Sequence, residues 1–201
     1  YNHDLLIFSR YILGNNIITI WQDLPISFYP NTQSAIDLGV HPDDIAKLEQ
    51  ARKDATINWE NKIFSWKGRT ITPPDYFVDV DSEPTIGIRM FYNADITQFA
   101  WEGDFGGERG HDINDIPKKG RVDIDLGQVG RTLDNLTKLY EHEIRHGLHD
   151  STKESKDRNH TTSSFIENHV SRDDSILTIT MYSLTNFYKS KGKFPDLRIY
   201  Q

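Results

Sequence analysis

The sequence predicts a single α+β domain. Two stretches carry apolar residues at three- and four-residue spacing, Ile45 to Trp59 and Leu133 to Leu148, and short β-rich runs are grouped between and before them. With 201 residues, 36% of them hydrophobic and 11% aromatic, the chain can build one well-covered core or one domain split by a cleft.

Ile17 to Trp21 and Ile26 to Tyr29 are β-rich runs separated by Pro25, which predicts one kinked strand or two short ones. His41-Pro42-Asp43-Asp44 then opens a helix, and Ile45, Leu48, Ala51, Ala55 and Trp59 give it an apolar inner face to about residue 62. Pro73-Pro74 breaks the chain. Two strands follow, Ile86 to Tyr92 and Ile96 to Trp101, with a tight turn expected at Asn93-Ala94-Asp95.

Gly103 to Gly120 is rich in Gly and Asp and reads as a loop, after which Val122, Ile124 and Leu126 alternate on one face of a strand from Arg121 to Leu126. Leu133, Leu136, Tyr140, Ile144 and Leu148 mark an amphipathic helix expected to end where Gly147 permits a turn. Ser151 to Ser164 is polar enough to be a surface loop. A short helix over 163–173, a buried run from Ile176 to Met181 and a terminal helix from Leu184 to Lys191 complete the expected elements.

The net charge of -7, from 30 acidic and 23 basic residues, and the lack of any basic run argue against nucleic acid and anionic membrane as partners. No apolar stretch approaches the roughly 20 residues needed to cross a bilayer. Cysteine is absent, so a zinc site would have to use His, Asp, Glu or Tyr. The chain opens at Tyr1 without a positively charged leader region, which reads as a processed or trimmed segment.

The chemistry is concentrated in His142-Glu143-Ile144-Arg145-His146. On a helix the two histidines lie one turn apart and only about 40° from each other around the axis, so both imidazoles can converge on one metal ion with Glu143 beside it. Zinc suits two neutral imidazoles plus a third ligand. Its fourth position takes a water whose pKa falls toward about 7, and Glu143 can accept that water's proton. Random order would yield such a pattern roughly once in seventy chains of this composition, so the surroundings have to decide. The plain alternative is a solvated helix whose histidines only cap or pack.

The surroundings resemble the metzincin metalloproteases over most of the chain. Val122-Asp-Ile-Asp-Leu-Gly127 lies where metzincins carry a strand leading into the active-site helix. Tyr140-Glu-His-Glu-Ile-Arg-His-Gly-Leu-His-Asp-Ser151 is similar to the matrixin stretch in which a helix holds two histidines, breaks at Gly-Leu and delivers a third ligand just before a Ser, and Thr178-Ile-Thr-Met181-Tyr182 resembles the Met-turn that floors the metal site. The resemblance implies a zincin-like fold, with a twisted mixed sheet, an active-site helix and a C-terminal helix after the Met-turn. It divides the single domain 1–201 into an upper part to about residue 147 and a lower part over about 148–201. It also implies a secreted zinc endopeptidase acting on protein or peptide substrates.

One departure bears on the third ligand. The family places two residues between the second His and the Gly, whereas Gly147 follows His146 directly. Alignment on the Gly puts Asp150 in the ligand position, with His149 as the alternative. If the helix ran on, His149 would lie about 4.5 Å farther along the axis than His146, and a turn at Gly147 would favour the longer reach of Asp150. A second resemblance competes: Phe165-Ile-Glu167-Asn-His-Val-Ser-Arg-Asp173 is similar to the second helix of thermolysin-like gluzincins, which makes Glu167 the third ligand.

Tyr182 follows the methionine and implies, by the same resemblance, an oxyanion-binding phenol, while the plain reading is a packed aromatic. The segment with Asp104, Glu108, His111, Asp112 and Asp115 has the oxygen ligands Ca2+ prefers, in a position similar to the structural metal sites of matrixins, although an exposed acidic turn explains it equally simply. Two further classes stay open on the sequence: a metal-binding interaction protein that does not cleave, and a structural domain in which the pentapeptide is accidental.

Overall fold

The computed structural model describes residues 18–19, 21, 24–60, 64–66, 69–71, 75–95, 100–106, 114–149 and 190–191; for 18–19, 64–66, 69–71, 100–106, 114–121, 123 and 145–149 the description covers the backbone alone. The elements are β1 (Ile18–Thr19), β2 (Ile26–Tyr29), α1 (Thr32–Asp37), α2 (Pro42–Glu60), β3 (Phe64–Trp66), β4 (Arg69–Ile71), β5 (Phe77–Asp79), β6 (Gly87–Asn93), β7 (Ala100–Gly106), β8 (Asn114–Asp125), a 3-10 turn (Leu126–Gln128) and α3 (Leu133–His149). Ser190 and Lys191 are helical and exposed.

Strands β5, β2, β6 and β8 lie side by side and parallel, β7 runs antiparallel on β8, and β1 pairs in parallel with the first two residues of β8. The sheet is therefore mixed. The β6–β8 register, Gly87 opposite Lys119 through Asn93 opposite Asp125, sets Ile88, Met90, Tyr92, Val122 and Ile124 into the core. Parallel neighbours need a crossover, and α1 with α2 supplies one between β2 and β5. Strands β3 and β4 form a separate antiparallel pair.

One hydrophobic cluster joins the inward residues of the strands to Ile45, Leu48, Ala51, Ala55 and Trp59 of α2 and to Leu136, Tyr140 and Ile144 of α3. Both long helices thus cover one sheet face. On the other face, alternate residues Arg89 and Phe91 of β6 and Val78 of β5 remain half-buried or exposed.

A buried cation crosses this core. Arg52 is 1% exposed, donates from both terminal nitrogens to Asp79 at 2.9 Å each, reaches Glu49 Oε2 at 3.2 Å and lies 5.1 Å from the Phe28 ring centre. Burial opposes its charge, but Asp79 and Glu49 outweigh that and hold its pKa above the ordinary value. Burial raises the Tyr92 phenol, with Glu49 adding to the shift, and burial likewise raises Tyr140.

Of the two arrangements expected between residues 17 and 29, the structure has the two short strands, β1 and β2, with separate partners and a cis Leu24–Pro25 bond ahead of β2. Several other expectations are corrected. Ala100 and Trp101 of the strand expected at 96–101 belong to β7, which pairs with β8 and not with β6, so 93–95 does not close a β6–β7 hairpin; Asp95 N donates to Asn93 Oδ1 at 2.8 Å. The expected loop from Gly103 to Gly120 is strand at both ends, because β8 starts at Asn114. A register shift between Asp104 and Phe105 sits where Pro117 lacks a donor for the ladder. Helix α1, the β3–β4 pair and β5 were not legible. Their runs are three to six residues long, too short for periodicity to register. The expected elements at 163–173, 176–181 and 184–189 lie outside the described residues.

Candidate active site

The approach to the motif helix is built by Asp125 at the end of β8. This buried carboxylate accepts from Gly127 N through Oδ1 and from Gln128 Nε2 through Oδ2, both at 2.8 Å, closing the 3-10 turn. Arg131 N donates to Gln128 O at 2.9 Å and carries the chain to Thr132. The Thr132 hydroxyl accepts from Asn135 N at 3.3 Å, and its carbonyl accepts from Leu136 N, a helix start of the kind Thr favours. Asp134 in the first turn suits the helix dipole and pairs with Lys138 at 2.7 Å.

Helical geometry distributes the motif around α3. Leu136, Tyr140 and Ile144 face the sheet core. Glu141 flanks that stripe on the α2 side, where Asn58 Nδ2 donates to its Oε1 at 2.5 Å and Trp59 Nε1 donates to its carbonyl at 3.3 Å. His142 falls about 160° around the axis from Ile144, and Glu143 lies on the flank opposite Glu141. Glu143 lies about 20° from Leu136 around the axis, at the margin of the apolar stripe, whereas His142 lies outside it, and each is only 5% exposed. An amphipathic helix of this kind ordinarily leaves its polar face in water. On α3 the side away from the stripe is nevertheless buried at His142.

The helix does not break at Gly147. It continues to His149, which corrects the expected turn. His142 and His146 therefore occupy one continuous helix, four residues apart. The side chains of His146 and His149, and Asp150, Glu167, Met181 and Tyr182 altogether, lie outside the described residues, as do Glu108, His111 and Asp112. Asp104 and Asp115 are strand residues of β7 and β8. Among the described residues no group of three or more potential metal-ligating side chains occurs.

No protein-family model matches the chain, and neither a curated protein nor a solved structure matches it significantly. The site thus stands on its own geometry. Asn58, Arg52 and Glu141 were not singled out from the sequence. Arg52 interrupts the apolar face between Ala51 and Ala55, a signal that could have marked a buried ion pair, whereas Asn58 and Glu141 looked like ordinary surface residues. No helix among the described residues is long and apolar enough to cross a membrane.

Proposed function

We propose that the protein is a secreted zinc-dependent endopeptidase of zincin-like fold. The observation that carries this reading is the burial of His142, on the side of the helix away from the core stripe, together with that of its neighbour Glu143, on a helix that runs unbroken past His146. A metal-centred site accounts for a His and a Glu buried next to each other on one helix. The donor set fits the ion, since His142 and His146 at four-residue spacing supply two imidazoles to one side.

Bound zinc would contribute Lewis acidity and lower the pKa of water. Glu143 takes the proton of the attacking water and passes it to the leaving amine. Tyr182 donates to the oxyanion. Strand β7 has β8 as its one partner among the described strands and packs against α3, so its other edge can accept an extended peptide as an added strand.

The third ligand is proposed to be Asp150, with His149 and, in the gluzincin manner, Glu167 as the alternatives. Ca2+ at the acidic segment is retained only as a secondary proposal.

Metal analysis combined with casein digestion tests the reading. Stoichiometric zinc with cleavage supports the peptidase, and zinc without cleavage indicates a metal-binding interaction protein. A protein that keeps its zinc content in the His146→Ala variant would sink the site. Separate Asp150→Ala, His149→Ala and Glu167→Ala variants identify the third ligand by which of them loses zinc.

A further inference from the structure

Two side-chain donors on consecutive residues at the end of α2 converge on one residue of α3. Asn58 grips the carboxylate of Glu141 at 2.5 Å and Trp59 grips its carbonyl at 3.3 Å. Trp59 and Glu141 are fully buried, and Glu141 immediately precedes His142. We propose that Asn58 and Trp59 are positioning residues for the metal centre, locking α3 in the rotational and axial setting at which His142 and His146 meet a divalent metal ion. This inference rests on the zinc reading of the same site.

Directionality is the reason a lock is needed. Apolar contacts of Leu136, Tyr140 and Ile144 with the sheet are non-directional and tolerate small rotations of the helix. A slide by a single residue would swing His142 through about 100° and shift it by about 1.5 Å. Hydrogen bonds weaken steeply below about 120°, so a pair anchored at both the side chain and the main chain of one residue resists both movements. The grip on the backbone fixes axial height, and the grip on the carboxylate fixes rotation.

The test uses Co2+ as probe, with affinity read by chelator competition, and amide hydrogen exchange over residues 142–146. Asn58→Leu removes the donor at similar volume, Glu141→Gln retains the acceptor oxygen, and Ile45→Ala on the far end of α2 serves as a control for general loss of stability. Asn58→Leu is expected to weaken Co2+ binding by about tenfold, as loss of outer-shell support typically does, while Glu141→Gln stays within about threefold of the parent. Asn58→Leu weakening Co2+ no more than Ile45→Ala does, or Glu141→Gln weakening it as much as Asn58→Leu, would overturn the proposal. If the parent protein takes up no Co2+, the zinc reading fails by itself. Hydrogen exchange then judges the lock: faster exchange at 142–146 in Asn58→Leu than in Ile45→Ala upholds it, and equal exchange overturns it.

Discussion

Arg52 and Asp79 form a two-pronged ion pair, Nη1 to Oδ1 and Nη2 to Oδ2 at 2.9 Å each, that ties the middle of α2 to the edge strand β5. The guanidinium is buried while the Asp79 side chain is 51% exposed, so the two partners respond differently to removal. Asp79→Ala leaves a buried cation with Glu49 alone and is expected to cost about 1 to 3 kcal/mol in urea denaturation. Adding Arg52→Met to that variant should recover part of the loss, since it removes the under-compensated charge. A double variant less stable than Asp79→Ala would contradict this account.

Glu60 closes the end of α2 onto the start of β5 by accepting from Tyr76 N at 2.9 Å and Phe77 N at 2.7 Å. Burial raises its pKa above 4.5, only partly opposed by those two amides. A raised folded-state pKa stabilises the protein fully below 4.5, and the contribution disappears as pH climbs through the folded value. Glu60→Gln keeps an acceptor for both amides and should flatten this part of the stability curve measured by thermal melts from pH 4 upward. Glu60→Ala strands both amides and should cost about 1 to 3 kcal/mol. A parent protein whose Glu60-dependent stability grows with pH would contradict the sign.

Gly87 begins β6 at φ +155°, and a Cβ there would meet Ser27 O at 2.5 Å and Pro84 Cγ at 2.7 Å. The close approach of β6 to β2 therefore depends on a missing side chain. Gly87→Ala should destabilise by about 1 to 3 kcal/mol, read from the denaturation midpoint. A neutral outcome would mean that the two strands are farther apart in solution.

Gly147 lies inside α3, and Ala is the stronger helix former. Gly147→Ala should raise the melting temperature, by the equivalent of roughly 0.5 to 1 kcal/mol. A turn at this residue, as the matrixin comparison implies, would make the same substitution destabilising, so one melting curve separates the two arrangements.

On the proposed zinc reading, in which the Glu143 carboxylate would move a proton and the imidazoles would hold the ion, Glu143→Gln should abolish hydrolysis of casein while leaving bound zinc unchanged. Wild-type turnover in that variant would remove Glu143 from the reaction.

The long helices were legible because their apolar spacing extends over about four turns: Ile45 to Trp59 entered the core as the pattern required, as did Leu136, Tyr140 and Ile144, whereas Leu133 in the first turn is exposed and the Leu148 side chain lies outside the described residues. Strand β6 was legible from alternation, with Ile88, Met90 and Tyr92 buried. Pairing was not. Nothing local in Ala100 to Gly106 says that its partner is β8 and not β6, since register and neighbour are decided by the whole sheet. Within the site, the spacing of His142 and His146 announced a shared helical face, but the continuation through Gly147 did not follow from glycine's usual place at helix ends. The Asn58–Glu141 bond spans 83 positions, beyond the reach of any local pattern.

Strand β8 is the last of the described strands to be synthesised and yet stands between β6 and β7, while Ile18 and Thr19, about a hundred positions earlier, pair with its first residues. On a ribosome, the growing polypeptide would therefore carry a sheet with an empty central slot until about residue 125 has emerged. Such distant pairing slows acquisition of the native state and leaves strand borders open to wrong neighbours in the meantime. The molecule's vulnerability to aggregation is thus concentrated in its birth, and a chaperone that shields β6 during that interval would do more for yield than any gain in final stability.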